Sequence, residues 1–324
     1  MRHIRCSMLL LAVLAAPLVH AQGGKESFPN RPVRVVVPFA AGGATDIVAR
    51  VVGQKLYEIW GQTVVVDDRG GAGGNIGADL VAKAPPDGHT LLMTSGSIIT
   101  ANPHIYKKMP FDAEKDLVPI TNVASGPQLL SVNPSSPWKS VKDLIAAAKA
   151  KPKSITFGSA GFGTQTHLAA ENFIYTAGID VVHVPYKGEA PALTDLVGRQ
   201  VNFVTSNLPA AMGFVQQGKL RALGVTSKER IKQLPDVPTI AETLPGFENL
   251  GWFGLMAPAG TPRAVILKIQ RDTAKALQDS AIKTKLEQLG MAATPNTPEQ
   301  FAKDIKAESQ RWAKIVRERH LLIQ

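Results

Sequence analysis

Two glycine-rich turns, each between a strand pattern and a helix pattern, constrain the fold of this chain more than any other feature. The first turn covers residues 38–46 (PFAAGGATD) and follows the β-branched run Val33–Val37. The second covers residues 158–167 (GSAGFGTQTH) and follows a short strand pattern at residues 154–157. Apolar residues at helical spacing continue after both turns. Two strand–turn–helix units about 120 residues apart therefore predict two α/β lobes.

Each turn has the properties of a backbone anion site. Glycine and alanine leave the main chain bare, and the first N–H groups of a helix lack partners and lie at the positive end of its dipole. A carboxylate or a phosphate suits such a place. An ordinary tight turn with Thr45 and Asp46 as helix caps remains the alternative for the first turn. Ligands of open α/β sheets bind at the carboxyl ends of strands, so two facing turns would form a cleft.

A third glycine-rich segment, residues 67–77 (DDRGGAGGNIG), follows the strand pattern at residues 63–66. It lacks the Gly-Lys-Ser/Thr of phosphate-binding loops, and Ile76 stands where the dinucleotide motif needs a glycine. We interpret this segment as another part of the edge of the ligand site, formed by backbone groups, with Asn75 as a side-chain donor. A flexible surface loop is the alternative.

Other predicted strands end in polar side chains at the same rim. The strand at residues 90–93 leads to Ser95 and Ser97, and the strand at residues 201–207 ends in Ser206 and Asn207. The strand pattern at residues 181–188 brings Tyr186 to its end. Hydroxyl and amide groups there would add hydrogen bonds to a bound ligand.

The first 21 residues have the pattern of a secretory signal peptide. Arg2 and Arg5 precede an apolar run at residues 8–19, and Ala21 ends a sequence of the kind that signal peptidase cleaves. The apolar run is too short to span a bilayer. We therefore expect export, with cleavage after Ala21 and a mature chain that begins at Gln22.

Composition narrows the class of function. Cys6 is the only cysteine, so the mature chain has no disulfide, thiol nucleophile or thiolate metal site. The net charge is +10 and aromatic residues make up 6% of the chain, without a basic run interleaved with aromatics. This argues against nucleic-acid binding. The histidines have no metal-ligand spacing, and we expect no metal and no cofactor.

Several long motifs resemble the Bug family of periplasmic solute receptors, which serve tripartite tricarboxylate transporters. The resemblance starts with residues 28–46 and continues through residues 71–77 (GAGGNIG) and 86–92 (PDGHTLL). It returns at residues 158–164 and 184–188 (VPYKG), and covers essentially the whole mature chain. His89 and residues 67–70 depart from the family pattern, which affects one rim of the expected site and not the fold.

The resemblance implies an α/β, two-lobed periplasmic binding protein (Venus flytrap, type II-like), in which each lobe is a central sheet flanked by helices. With the proline-rich return at residues 235–245, the chain order predicts lobe 1 at residues 28–124 and 249–324 and lobe 2 at residues 125–248. Family members close on a small carboxylate through backbone groups and ordered waters. The expected partners are this ligand and membrane subunits of a tripartite tricarboxylate transporter. We expect a periplasmic monomer.

The predicted ligand-binding residues are those of the two turns and of the neighbouring strand ends. They are Phe39, Ala40, Ala41, Gly42, Gly43, Thr45, Asp46, Asn75, Ser95, Ser97, Ser159, Gly161, Phe162, Gly163, Thr164, His167, Tyr186, Ser206 and Asn207.

A secreted hydrolase of a small carboxylate ester or amide is the main alternative function. Residues 158–161 (GSAG) contain a serine, and His167 would be its base, but the Gly-x-Ser-x-Gly spacing of a nucleophile elbow is absent. The sequence pairs neither residue with an acid. We therefore predict a receptor and not an enzyme.

Asp46 leaves the chemistry of the ligand open. Its carboxylate would repel a ligand carboxylate, although it complements the helix dipole and has Arg50 four residues further on for an ion pair. If the ligand carries an amine, Asp46 is its expected partner. Both an organic acid and an amino acid stay possible at this point.

Overall fold

A computed structural model describes residues 28–319 and 321 of the 324-residue chain. The predicted signal peptide, residues 1–21, lies outside the described residues, and its cleavage stays a prediction. Within the described part, no helix combines the length and the apolar character that crossing a membrane requires.

The described residues form ten strands and eleven α-helices. The strands are β1 (Val33–Val37), β2 (Val64–Asp68), β3 (Thr90–Ser95), β4 (Leu117–Val132), β5 (Thr156–Ser159), β6 (Val182–Pro185), β7 (Phe203–Asn207), β8 (Arg221–Val225), β9 (Leu250–Pro258) and β10 (Ala292–Ala293). The helices are α1 (Ala44–Trp60), α2 (Asn75–Ala82), α3 (Gly96–Thr100), α4 (Asn102–Ile105), α5 (Val141–Ala150), α6 (Gln165–Ala177), α7 (Glu189–Val197), α8 (Leu208–Gln216), α9 (Arg263–Gln278), α10 (Ser280–Gln288) and α11 (Pro298–Arg319). Two 3-10 turns occupy Ala72–Gly74 and Ile240–Glu242.

The long strand β4 divides the strands into two mixed sheets. Its first part, residues 117–127, pairs with β9 in a sheet of order β2–β1–β3–β9–β4, with β10 on the free side of β4. Its last part, residues 128–132, pairs with β7 and β8 in a sheet of order β6–β5–β7–β4–β8. The two sheets share one strand order, in which β2, β1, β3, β9 and β4 of the first sheet correspond to β6, β5, β7, β4 and β8 of the second.

This shared order places the two glycine-rich turns at equivalent positions. β1 lies between β2 and β3 and is parallel to both, and β5 lies between β6 and β7 in the same way. The turns after β1 and β5 therefore both leave the carboxyl edge of a central parallel strand. The fold is the two-lobed α/β arrangement expected from the sequence.

Helix α1 shows how the sequence builds the first lobe. Val48, Val52 and Leu56 lie four residues apart and are buried against the sheet, which is the apolar face of an amphipathic helix. Burial of each such side chain contributes about 1.5–3 kcal/mol. Gly61 ends the helix in the left-handed conformation, at φ 63°, which glycine adopts without steric cost.

Strand β5 begins two residues later than the sequence pattern indicated. Gly158 and Ser159 belong to the strand, where they pair with Val184 and Pro185 of β6. The partner strand, not local propensity, sets this end. The turn itself is shortened to residues 160–164.

The chain crosses between the sheets twice, once within β4 and once between β8 and β9. Four polar side chains connect these crossings. Gln128 donates from its main chain to the Thr226 hydroxyl (2.7 Å), and its side-chain oxygen accepts from Asn249 Nδ2 (3.1 Å). Gln128 Nε2 donates to Asn207 Oδ1 (3.2 Å). Both crossings are therefore tied to the end of β7.

Candidate functional site

The two glycine-rich turns face each other across one small buried cavity. Its lining from the first sheet and its loops is Phe39, Gly43, Thr45 and Ser95, and from the second Ala160, Thr164, Gln165, Thr166, Glu189 and Asn207. The volume open to the centre of a water molecule is about 10 Å³, which is close to the minimum for one water. A ligand of several carbon atoms needs the lobes to move apart.

Two backbone donors of the first turn already have partners within the protein. Gly42 N–H donates to Asp46 Oδ2 (2.8 Å), and Ala40 N–H donates to the Lys187 carbonyl across the cleft (3.1 Å). Asp46 also forms the expected ion pair with Arg50 (2.6 Å). The carboxylate of Asp46 therefore stabilises the turn and is neutralised by Arg50.

The N-terminus of α1 holds a second carboxylate, from the opposite lobe. Ala44 N–H donates to Glu189 Oε2 (2.8 Å), and Glu189 Oε1 accepts from Asn207 N–H (2.6 Å) and Asn207 Nδ2 (2.9 Å). Glu189 is 6% exposed. Burial raises the pKa of its carboxyl group, against the opposing effect of these three hydrogen bonds.

The second turn is closed by its own hydroxyl and imidazole groups. Thr164 caps α6 and accepts from His167 N–H (3.3 Å), while Gly163 N–H donates to His167 Nδ1 (3.2 Å). Ala160 N–H donates to the Thr166 hydroxyl (2.9 Å). The first turn of α6 contains no acidic residue. This end of the cavity is consequently free of the fixed negative charge found at α1.

Ser159 and His183 form a close pair below the second turn. Ser159 Oγ lies 2.7 Å from His183 Nε2, and the His183 ring stacks on Phe157 and His167. Burial, together with the neighbouring His167, lowers the pKa of His183 to about 3. Its Nδ1 is buried without a hydrogen-bond partner among the described residues. The pair thus has a weak base and lacks the orienting carboxylate of a catalytic triad.

Six of the residues predicted from sequence line the cavity: Phe39, Gly43, Thr45, Ser95, Thr164 and Asn207. The other predicted turn residues are not part of the cavity lining: Ala40, Ala41, Gly42, Asp46, Ser159, Gly161, Phe162, Gly163 and His167. Of these, Phe162 is 40% exposed at the outer rim, where its carbonyl accepts from the Tyr106 hydroxyl (2.9 Å).

Four further predicted residues have their polar groups engaged or buried elsewhere. Asn75 accepts from Asn102 Nδ2 (2.9 Å), and the Tyr186 hydroxyl donates to Asp195 (2.7 Å). Ser97 lies 3.5 Å from Ser95 Oγ. Ser206 is fully buried, without a hydrogen-bond partner for its hydroxyl among the described residues. None of the four lines the cavity.

Four residues that line the cavity were not among the predicted ligand-binding residues: Ala160, Gln165, Thr166 and Glu189. Gln165 is the first residue of α6 and donates to the Trp252 carbonyl across the cleft (2.9 Å). Glu189 is the first residue of α7, where an acid is so common that it indicates only a helix start. Glu189 directly follows the motif of residues 184–188, which we had placed at the edge of the expected site, and this proximity could have indicated its role.

Sequence relatives match nearly the whole chain. A protein in the tcbD–tcbE intergenic region of Pseudomonas sp. strain P51 is 42% identical over 91% of this chain and 88% of its own length. BugT of Bordetella pertussis is 38% identical over 95% of this chain and 93% of its own length.

Solved structures agree with the sequence relatives. Rpa4515 of R. palustris, solved with adipate, has a TM-score of 0.88 at 37% identity, covering 90% of this chain and 98% of its own. MatC of Rhodopseudomonas palustris, solved with bound malate, has a TM-score of 0.85 at 33% identity, covering 89% and 100%. The family model of the tripartite tricarboxylate transporter family receptor matches residues 48–321. This coverage and the shared two-lobed fold show that the chain, like its relative BugT, belongs to the tripartite tricarboxylate transporter family of receptors.

Proposed function

We propose that this protein is a periplasmic receptor that closes its two lobes on a small organic ligand carrying a carboxylate, and presents it to the membrane subunits of a tripartite tricarboxylate transporter. The observation that carries the proposal is the pairing of two equivalent glycine-rich turns on opposite sides of one cavity. Each turn supplies a helix N-terminus, which is a site for anions.

The ligand chemistry is supported by two relatives. Rpa4515 and MatC were solved with adipate and malate, both dicarboxylates. Besides the Phe39 ring and the Glu189 carboxyl group, the cavity of this chain is lined by hydroxyl, amide and backbone groups, which bind carboxylates directly or through ordered waters. A small carboxylate is therefore the ligand class that we assign.

Binding would require a hinge motion. The cavity holds no more than about one water centre, whereas a dicarboxylate such as malate has nine heavy atoms. The two crossings, in β4 and at residues 226–249, are where the lobes would rotate. On this basis we propose lobe boundaries at residues 28–124 and 249–324 for lobe 1 and 125–248 for lobe 2.

A hydrolase is the less favoured function. Ser159 and His183 have the contact of a nucleophile and a base, but Ser159 is fully buried and the low pKa of His183 makes it a poor proton acceptor at neutral pH. We propose a receptor without catalytic activity that acts as a monomer after cleavage behind Ala21.

A thermal-shift panel tests the function. The mature protein would be melted with malate, succinate, adipate and their amine-bearing analogues. At a hundredfold excess over Kd, a ligand stabilises the folded state by about 2.7 kcal/mol. At about 2–4 °C per kcal/mol this is a shift of about 5–10 °C. A panel in which no carboxylate raises the melting temperature contradicts the proposal, and recovery of a chemically altered ligand would favour the hydrolase.

A further inference from the structure

The buried carboxylate of Glu189 is the feature of the cleft that neither the sequence motifs nor the proposed function explains. It projects from the start of α7 in one lobe to the N-terminus of α1 in the other. It therefore occupies the very place where the first glycine-rich turn would bind a ligand carboxylate.

Three donors of that place are taken by the chain itself. Ala44 N–H is bound by Glu189, Gly42 N–H by Asp46, and Ala40 N–H by the Lys187 carbonyl. One carboxylate already complements the positive end of the α1 dipole. A ligand carboxylate at the same end would stand next to a like charge in a cavity where water screens it poorly.

Glu189 also lacks a cationic partner. Its three hydrogen bonds come from the neutral donors Ala44 N–H, Asn207 N–H and Asn207 Nδ2, and no lysine, arginine or histidine of the described residues forms an ion pair with its carboxylate. Asp46, by contrast, is paired with Arg50. A buried carboxylate without a counter-ion is unfavourable, and a ligand cation beside it would relieve that cost.

The N-terminus of α6, which also lines the cavity, carries no such charge. Thr164, Gln165 and Thr166 form its first turn, which contains no acid. A ligand carboxylate is suited to the α6 N-terminus, and a hydrogen-bond donor is suited to the surroundings of Glu189. The two helix N-termini at the cavity therefore differ in chemistry.

We propose that Glu189 is a specificity-determining residue that selects ligands with one carboxylate and one ammonium group, and disfavours a second carboxylate at the α1 end. This deepens the proposed receptor function and rests on it. The class of ligand is an amino acid whose ammonium group contacts Glu189 while its carboxylate contacts the start of α6.

Two matched pairs of probes test the selection. Succinate and 4-aminobutanoate are similar in length and differ in one end group, as are adipate and 6-aminohexanoate. Kd values would be measured by calorimetry for the mature protein, for Glu189→Gln and for Glu189→Ala. Glu299→Gln, which removes a negative charge from a surface ion pair with Arg263, is the control for net charge.

We expect the mature protein to bind the ammonium member of at least one pair at least about tenfold more tightly than the dicarboxylate. Both Glu189 variants should lower this preference by about tenfold or more, and Glu299→Gln should leave it unchanged. Melting curves without ligand establish that each variant is folded, and Glu189→Gln keeps the side-chain volume if Glu189→Ala does not fold.

Three results overturn the assignment. If the dicarboxylates bind and their ammonium partners do not, the specificity is wrong while the receptor function stands. If the preference exists but both Glu189 variants keep it, another residue is responsible. If none of the four probes binds, the assignment of a ligand with one carboxylate and one ammonium group fails. If the whole panel of carboxylates is also negative, the proposed receptor function is contradicted as well.

Discussion

Gly188→Ala should hinder lobe closure without changing either lobe. Gly188 precedes α7 with φ 162° and ψ 175°, an extended conformation that alanine also adopts. A Cβ atom there would lie 2.9 Å from Ala40 N and 3.0 Å from Ala40 Cβ. Ala40 belongs to the turn after β1, on the opposite side of the cleft. The substitution therefore adds one methyl group to the contact between the lobes.

The size of the effect follows from the hydrogen bonds at that contact. Carbon atoms pack at about 3.5–4.0 Å, so the lobes must separate there by about 0.5–1 Å. The bond from Ala40 N to the Lys187 carbonyl is already 3.1 Å long and would exceed hydrogen-bonding distance. Its loss costs about 1 kcal/mol, and weakening of the charged bond between Ala44 N–H and Glu189 adds about 1–2 kcal/mol. The closed state becomes less populated by about 30- to 150-fold.

Affinity and shape would both be measured. Because the lobes must close again around the bound ligand, the apparent Kd should rise by a similar factor, measured by calorimetry with the strongest ligand of the carboxylate panel. X-ray scattering should show a smaller ligand-induced compaction. Gly213→Ala is the matched control, since a Cβ at Gly213 in α8 would meet no atom within 4 Å.

The reasoning is refuted if folded Gly188→Ala binds the ligand within about twofold of Gly213→Ala. Such a result would mean that the contact between Gly188 and Ala40 is not formed when ligand is bound. A loss of affinity in both variants would instead show a general effect of the added methyl group.

Three other predictions concern the turns and the Ser159–His183 pair. Gly42→Val and Gly161→Val should abolish the ligand-induced thermal shift. These glycines have φ of +81° and +124°, where a β-branched residue is strained. A full shift in both folded variants would mean that the ligand binds elsewhere. The pKa of His183 is lowered to about 3 in the folded protein. As the pH falls below about 6.5, this histidine is therefore protonated in the unfolded chain while it stays neutral in the folded one. Urea unfolding at pH 4.5 and pH 7.5 should show that this histidine destabilises the fold by about 2 kcal/mol at the lower pH, and an equal pH dependence in His183→Asn would contradict this. Hydrolysis of 4-nitrophenyl acetate should be no faster with the mature protein than with Ser159→Ala, and a serine-dependent burst would revive the hydrolase.

Local patterns were sufficient for the elements that define the lobes. Val33–Val37 has the bounds that a β-branched run predicts. The two glycine-rich turns were found in the same way, because glycine at a strand end and apolar spacing after it are both local. Their mutual approach follows from the shared strand order, which no short window of sequence contains.

The cavity wall could be predicted only in part. Thr45 and Thr164 lie within the recognised turns, so the motif located them. Glu189 and Gln165 form hydrogen bonds across the cleft, with Ala44 N–H and with the Trp252 carbonyl, yet in the sequence each looks like an ordinary first residue of a helix. Asn75 and Tyr186 have polar groups suited to a ligand, yet Asn102 and Asp195 engage them. Which competing partner a polar group finds is a property of the tertiary structure.

The end of β7 links the cleft to both crossings between the lobes. Asn207 donates to Glu189 through its main chain and its side chain, and its side-chain oxygen accepts from Gln128 Nε2. Gln128 in turn contacts Thr226 and Asn249, at the two ends of the second crossing. A ligand that moves the Glu189 carboxylate must therefore rearrange Asn207, whose amide cannot keep both bonds if it rotates. Buried polar groups are costly to leave unpaired, so the hydrogen bonds of the crossings would have to change together with those of the cleft. Through this coupling the hinge would respond directly to the chemistry of the ligand.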